Sequence, residues 1–209
     1  MARYEVAPTR TNLLRLKEDL ELAGEGYELL EQKREILVVE LKGLTARAVE
    51  AQKNVDEELA NAYAALREAQ LAQGNSGVSF ASRAVNVKTQ INLRERRIMG
   101  VGIPMVSVGI EDNAPYYGPR ATSVWTDEAV ARFKAAIAAI GRLAESRISL
   151  VRLAREIQKT IRRVNALEKI FIPDYEETLK YIEDSLEEGE REAFFVLKLV
   201  KGRLEARRG

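Results

Sequence analysis

Apolar and small side chains recur in alternating steps of three and four at both ends of this chain, and a shorter central stretch follows a different rule. The first stripe runs Leu13, Leu16, Leu20, Ala23, Tyr27 and Leu30, resumes at Leu37, Leu41, Leu44, Ala48, Ala51 and Val55, and continues through Ala62, Leu66 and Ala69. The second passes Phe133, Ile137, Ile140 and Ala144, then Leu150, Ala154, Ile157, Ile161 and Val164. It goes on by way of Tyr175, Leu179, Ile182 and Leu186 to Val196 and Val200. That spacing holds one stripe of a helix against a neighbouring helix in a left-handed supercoil. The fold it predicts is mainly α: a long antiparallel two-helix coiled coil with a small β-hairpin insert between the arms. Residues 1–73 form the N-terminal arm, 74–123 the insert and 124–209 the C-terminal arm. At 1.5 Å of rise per residue, roughly sixty-five helical residues extend on the order of 100 Å. Leu13 to Leu20 should then face roughly the last twenty-five residues.

Local signals mark the ends and weak points of each arm. Thr9, after Pro8, is placed to cap the first helix, and Gly74-Asn75-Ser76-Gly77 to end it. Arg34 and Glu58 put charge on the seam, which weakens it and can fix its register. Gly24, Gly26 and Gly43 each cost about 1 kcal/mol of helix propensity against alanine. Either a long coil tolerates them, or they keep it slim where another chain passes. Thr126 is a candidate cap for the second arm, with Asp127 and Glu128 in the first turn, where the helix dipole favours acids. Pro173 lacks a backbone donor and crowds the preceding turn, so a kink or short break is expected near Ile172; a boundary between two helices is the other reading.

Between the arms, residues 85–94 alternate in side-chain type, the pattern of a half-buried strand. Residues 98–110 are also β-prone, but they carry Gly100, Gly102 and Gly109, and Pro104 rules out an ordinary central strand. A turn near residues 95–97 would join the two as a hairpin, too small to be stable alone and therefore packed on the arms. Residues 111–123 read as a loop. Its Tyr116 and Tyr117 either form a contact surface or fold back on the hairpin.

Composition sharpens this picture mainly by exclusion. Charged residues make up 31% of the chain and aromatic residues 6%, a balance typical of chains dominated by long helices. Cysteine and histidine are absent, which removes disulfides, thiol chemistry and most metal-ligand and nucleophile–base sets. No glycine-rich phosphate loop occurs. Adjacent carboxylates such as Glu57 and Glu58, or Glu187 and Glu188, leave a helix in different directions and do not converge in a pocket. Catalysis, a cofactor or a metal site is therefore not expected of this chain by itself. With a formal net charge of +1, nucleic-acid binding is not expected either. No apolar run is long enough for a membrane span and the start does not resemble a signal peptide, so a soluble cytoplasmic chain without direct membrane insertion is expected. Charge is banded along the C-terminal arm. Arg152, Arg155, Lys159 and Arg162 form a basic face, acids dominate residues 174–192, and Lys198, Lys201 and Arg203 follow. Each band is either a solvated face or a surface matched to opposite charge on a partner, guiding docking and register.

Several motifs carry a resemblance. Near the start stand Pro8-Thr9-Arg10 and Asn12-Leu13-Leu14-Arg15-Leu16-Lys17, followed by Leu29-Leu30 and Lys33-Arg34. The middle contains Ile98-Met99-Gly100-Val101-Gly102-Ile103-Pro104. The C-terminal arm contains Lys159-Thr160-Ile161-Arg162-Arg163-Val164-Asn165-Ala166-Leu167-Glu168, with Ile172-Pro173 shortly after. In this order they resemble the central-stalk D-subunit family of the rotary V-type and A-type ATPases and ATP synthases. The resemblance implies a non-catalytic rotor that transmits torque between a nucleotide-hydrolysing ring and a membrane ion-translocating rotor, peripheral to the membrane as part of a larger complex. It implies as partners the catalytic and nucleotide-binding ring subunits A and B, the small F component of the stalk, and a funnel-shaped subunit linking to the membrane rotor. The paired ends, residues 8–20 and roughly 185–209, would enter the ring. On that footing Pro8, Thr9, Arg10, Arg162, Arg163, Asn165, Lys198, Lys201 and Arg203 are the candidate ring or rotor contacts. The competing reading is a stand-alone coiled-coil scaffold or adaptor, which needs the same paired helices and no ring.

Overall fold

The computed structural model describes residues 4, 6–112, 114–118 and 122–208. In chain order it contains α1 (Arg10–Ala84), β1 (Val87–Ile98), β2 (Val101–Asp112), α2 (Val124–Ala166), a π-helical turn (Leu167–Phe171) and α3 (Ile172–Arg208). The fold is mainly helical with an antiparallel hairpin inserted between the long helices, as the periodicity predicts. The chain divides into two units, one made of Met1–Glu35 with Gln158–Gly209 and the other of Ile36–Ile157.

In the first unit the start of α1 lies antiparallel to α3. Thr9 caps α1 as expected: its hydroxyl accepts the Asn12 N–H at 3.3 Å and its carbonyl accepts the Leu13 N–H at 3.0 Å. Leu16, Leu179 and Ile182 form a buried core, flanked by Leu13, Leu20, Tyr175 and Leu186. Each such side chain contributes about 1.5–3 kcal/mol when fully buried. Arg10 pairs with Glu190, and Lys17 Nζ lies 2.7 Å from Glu183 Oε1. The stripe of α1 thus meets residues 175–190 and reaches only the first few of the last twenty-five, because the Thr9 cap starts the helix at Arg10 and, among the described residues, no helix faces residues 191–208. Before the cap, Tyr4 lies back along α3. Tyr4 stacks on Tyr175 at 5.2 Å between ring centroids and donates its N–H to Thr178 Oγ1 at 3.2 Å.

Pro173 produces no break. The turn ahead of it widens into a π-helix, in which the Ile172 N–H donates to the Leu167 carbonyl, while Ala166 and Ile172 both keep right-handed helical dihedrals. One extra residue in the turn makes room for the pyrrolidine ring, so the helix continues through a residue that has no N–H to donate.

The second unit pairs the remainder of α1 with most of α2, again antiparallel. Arg147 donates to Gln52 Oε1 at 2.8 Å, Tyr63 meets Phe133 edge to face at 5.6 Å, and Gln73 donates to the Thr126 hydroxyl. Leu37, Leu44, Leu153 and Ile157 form its core with Val101 and Ile103 of the hairpin. The buried row of α2 is Ser149, Leu153 and Ile157, while Ala154 faces solvent. In the first unit the same helix buries Thr160 and Val164, leaving Ile161 at the surface. Small hydroxyl residues can be buried when they bond their own helix, as Ser149 does by donating to the Glu145 carbonyl at 2.6 Å.

The two helix boundaries fare differently. Gly74 leaves helical geometry at φ 73° and ψ 167°, so the first helical run stops where expected, and a further run continues beyond this kink to Ala84. At the start of α2 the cap is Ser123, whose hydroxyl accepts the Trp125 N–H at 3.2 Å; Thr126 is instead buried in the first turn.

The hairpin turns at Met99 and Gly100, both at positive φ, and not at residues 95–97. Positive φ at both central residues is the type I′ geometry that matches strand twist. Pro104 is accommodated because β2 is an edge strand. Val106, two residues on, points its N–H away from β1 to Glu145 Oε2 at 2.7 Å, and the Gly102 carbonyl accepts from Arg152 Nη1 at 2.9 Å. Pro104 shares this outward-facing parity, so no ladder bond is lost. Gly141 of α2 permits the approach: a Cβ there would lie 2.3 Å from Val108 Cγ2.

Candidate functional site

Past Glu190, α3 has no packed partner among the described residues and changes character. Phe194, Phe195, Val196, Leu197, Leu199, Val200 and Leu204 are all between 47% and 67% exposed. Lys198, Lys201 and Arg203 lie exposed among them, and Lys201 pairs with Glu205 one turn along, at 3.8 Å. Residues of this kind normally build a core. A contiguous uncovered group of them marks an interaction surface, where each 100 Å² of apolar area removed from water is worth about 2.5 kcal/mol. Only Val196 and Val200 belong to the expected seam. The signal for the rest is present in the sequence, since apolar side chains in 194–200 occur all round the helix instead of along one stripe.

Pro8, Thr9 and Arg10 are exposed at the start of α1, where Arg10 is held by Glu190. They therefore adjoin the base of the uncovered α3 segment. Arg162, Arg163 and Asn165 are exposed on the last turns of α2, flanking the buried Val164 and just ahead of the π-helical turn. From there to Lys198 is roughly 50 Å of helical rise. The nine candidate contacts thus form two separate surfaces. Gly24, Gly26 and Gly43 have open space where a Cβ would stand, so no packing among the described residues requires them.

The second unit carries a polar cluster where the hairpin meets the start of α2. Tyr116 and Lys134 both donate to Asp112, Lys134 Nζ lies 5.1 Å above the Tyr116 ring, and the Tyr117 hydroxyl donates to Asp127 Oδ1 at 2.7 Å. The two tyrosines therefore fold back on the hairpin and α2. The hydrogen bonds from Lys134 and Tyr116 hold the Asp112 carboxyl below the usual carboxylate range. Burial alone would lower Lys134, but its bonds to Asp112 and Tyr116 outweigh it and hold the ammonium above its ordinary value. Burial, reinforced by Asp127, pushes the Tyr117 hydroxyl up. Beside this cluster lies a cavity of ≈ 320 Å³, lined by Leu66, Ala69, Val78, Phe133, Ile137 and other mostly apolar side chains. Its lining offers no convergent acid–base pair. Among the described residues no group of three or more acidic, histidine or cysteine side chains is arranged to hold a metal ion, and no helix is long and apolar enough to cross a membrane.

Residues 12–202 match the family model for the D subunit of ATP synthase. The chain is 41% identical over 206 residues to the A-type ATP synthase D subunit of Methanopyrus kandleri, an alignment covering 98% of this chain and 89% of that protein. It is 40% identical to the A-type ATP synthase D subunit of Pyrococcus furiosus, covering 97% and 96% of the two chains. With the V-type ATP synthase D subunit of Thermus thermophilus it shares 38% identity, over 97% and 91%.

Proposed function

The chain belongs to the D-subunit family of ATP synthases, and we propose on that premise that it is the central-stalk rotor of a rotary A- or V-type ATP synthase or ATPase. It transmits torque between the nucleotide-hydrolysing ring and the membrane ion-translocating rotor, and the chemistry belongs to other subunits. The observation that carries the reading for this chain's own residues is the uncovered apolar segment of α3. A partner that encloses residues 191–208 would grip Phe194, Phe195 and their neighbours. Load applied there would pass down α3 into the Leu16–Leu179–Ile182 core, where the Arg10–Glu190 and Lys17–Glu183 pairs resist sliding of α1 against α3.

The enclosing partners are the ring subunits A and B, and Pro8, Thr9 and Arg10 meet the same ring at its entrance. Arg162, Arg163 and Asn165 form the second contact, near the small F component of the stalk. The funnel-shaped subunit linking to the membrane rotor is the remaining partner. Lys198, Lys201 and Arg203 supply charge steering around an apolar grip, so the ring can select an orientation without holding it permanently. Replacing these three with glutamine tests the assignment: the assembled complex should dissociate at lower salt than the unaltered one, with a matching loss of ion-coupled ATP hydrolysis. Unchanged assembly and coupling would remove these residues from the torque path.

A further inference from the structure

The hairpin has one open side. Along β2 the outward backbone groups are engaged by α2, through Arg152 at Gly102 and Glu145 at Val106. Register then fixes what β1 presents. Val106 pairs with Leu93, and since Val106 directs its N–H away from β1, Leu93 directs its own N–H and carbonyl away from β2. The same parity applies to Thr89, Ile91, Glu95 and Arg97. Every residue from Lys88 to Arg97 is exposed. This is a long strand edge with unpaired donors and acceptors, the arrangement that accepts an added strand.

The side chains beside that edge differ between its two faces. Lys88, Gln90, Asn92, Arg94 and Arg96 share one face, which contributes three cations and no acid to the edge. Arg94, Arg96 and Arg97 make no ion pair among the described residues, whereas Glu95 lies 3.9 Å from Arg152. On the opposite face Ile91 is 62% exposed and Leu93 is 70% exposed. A second copy of β1 would add its own three cations to the first face and bring no acid to offset them. An anionic lipid surface would match the charge but leave the backbone edge without hydrogen bonds.

We propose that the free edge of β1 is a strand-addition site for an extended partner segment whose side chains alternate between acidic and apolar. Its acids lie beside Lys88, Arg94 and Arg96, its apolar side chains cover Ile91 and Leu93, and its backbone pairs with the outward groups of residues 89–97. This does not depend on the rotor reading, and the full-length chain alone is sufficient to test it. The probe is a capped octapeptide of alternating glutamate and valine, titrated with amide hydrogen exchange as the readout. Exchange should slow at Thr89, Ile91, Leu93, Glu95 and Arg97 and stay unchanged at the intervening amides, which already pair with β2. Arg94→Glu with Arg96→Glu should weaken binding about tenfold by replacing attraction with repulsion at two positions. Leu93→Pro should abolish it, with Pro104 on β2 as the precedent for an outward-facing proline. Because the proline could disturb the hairpin, the same peptide N-methylated on its β1-facing amides serves as a second test against the unaltered chain. Loss of binding by the methylated peptide supports strand addition. Equal binding by the methylated peptide, protection that ignores the alternation, or equal affinity for a lysine–valine octapeptide overturns it.

Discussion

Gly141→Ala separates two opposing effects that the structure allows to be weighed. In the interior of a helix such as α2, alanine is favoured over glycine by about 1 kcal/mol, so helix propensity alone predicts stabilisation. The added Cβ would stand 2.3 Å from Val108 Cγ2, far inside the ordinary carbon contact of about 3.5–4.0 Å. Overpacking of this kind costs about 1–3 kcal/mol. The net effect should therefore be destabilising by about 0–2 kcal/mol and confined to hairpin docking. Val108→Ala removes the offending methyl, leaving Val108 Cβ at 3.6 Å and Val106 Cγ1 at 3.9 Å, both ordinary contacts. In that background Gly141→Ala should stabilise by about 1 kcal/mol, so the sign of the effect reverses. Urea unfolding followed by circular dichroism measures the four corners of this cycle. Exchange of the Val106 amide, which is held by Glu145, reports docking locally and should quicken in Gly141→Ala alone. Equal stabilisation in both backgrounds would show that β2 does not approach α2 as described.

Other substitutions probe different parts of the chain. Glu58 sits half-buried on the α1 seam with its Oε2 buried and unbonded, so Glu58→Leu should stabilise the second unit by about 1–2 kcal/mol in urea unfolding; a loss of stability would mean the carboxylate is satisfied. Lys134→Ala should raise the Asp112 carboxyl toward its ordinary value, read by carbon-detected NMR titration. A depressed folded-state carboxyl contributes stability that is complete above its unfolded value and is lost as pH falls through its folded value. The unaltered hairpin base should accordingly loosen on acidification, and in Lys134→Ala that dependence should flatten.

The two-helix plan and the hairpin are legible because each rests on periodicity, and burial of Leu16, Leu37, Leu44, Val55 and Ile182 follows the apolar spacing. What escapes is set by hydrogen bonds that spacing does not encode. Ser149 and Thr160 read as polar, yet both are buried, displacing the seam away from Ala154 and Ile161. Pro104 counts against a central strand, correctly, but only the bonds from α2 to Gly102 and Val106 show which edge it occupies. Pro173 signals a kink or break, whereas a π-helical turn absorbs it. Of the candidate contacts, the sequence marks the charged members. The phenylalanines that accompany Lys198 and Lys201 carry a signal too, apolar side chains all round the helix, but their exposure follows from α1 beginning at Arg10.

Direct observation of rotation tests the central claim. The chain has no cysteine, so Gln70→Cys on the exposed side of α1 provides a single attachment point for a bead or fluorophore. In a complex reconstituted with its ring subunits and fixed through the ring, ATP should drive the label round stepwise in one direction, and motion should stop when ATP is exhausted. ATP hydrolysis at full rate with the label stationary relative to the ring would contradict the rotor account.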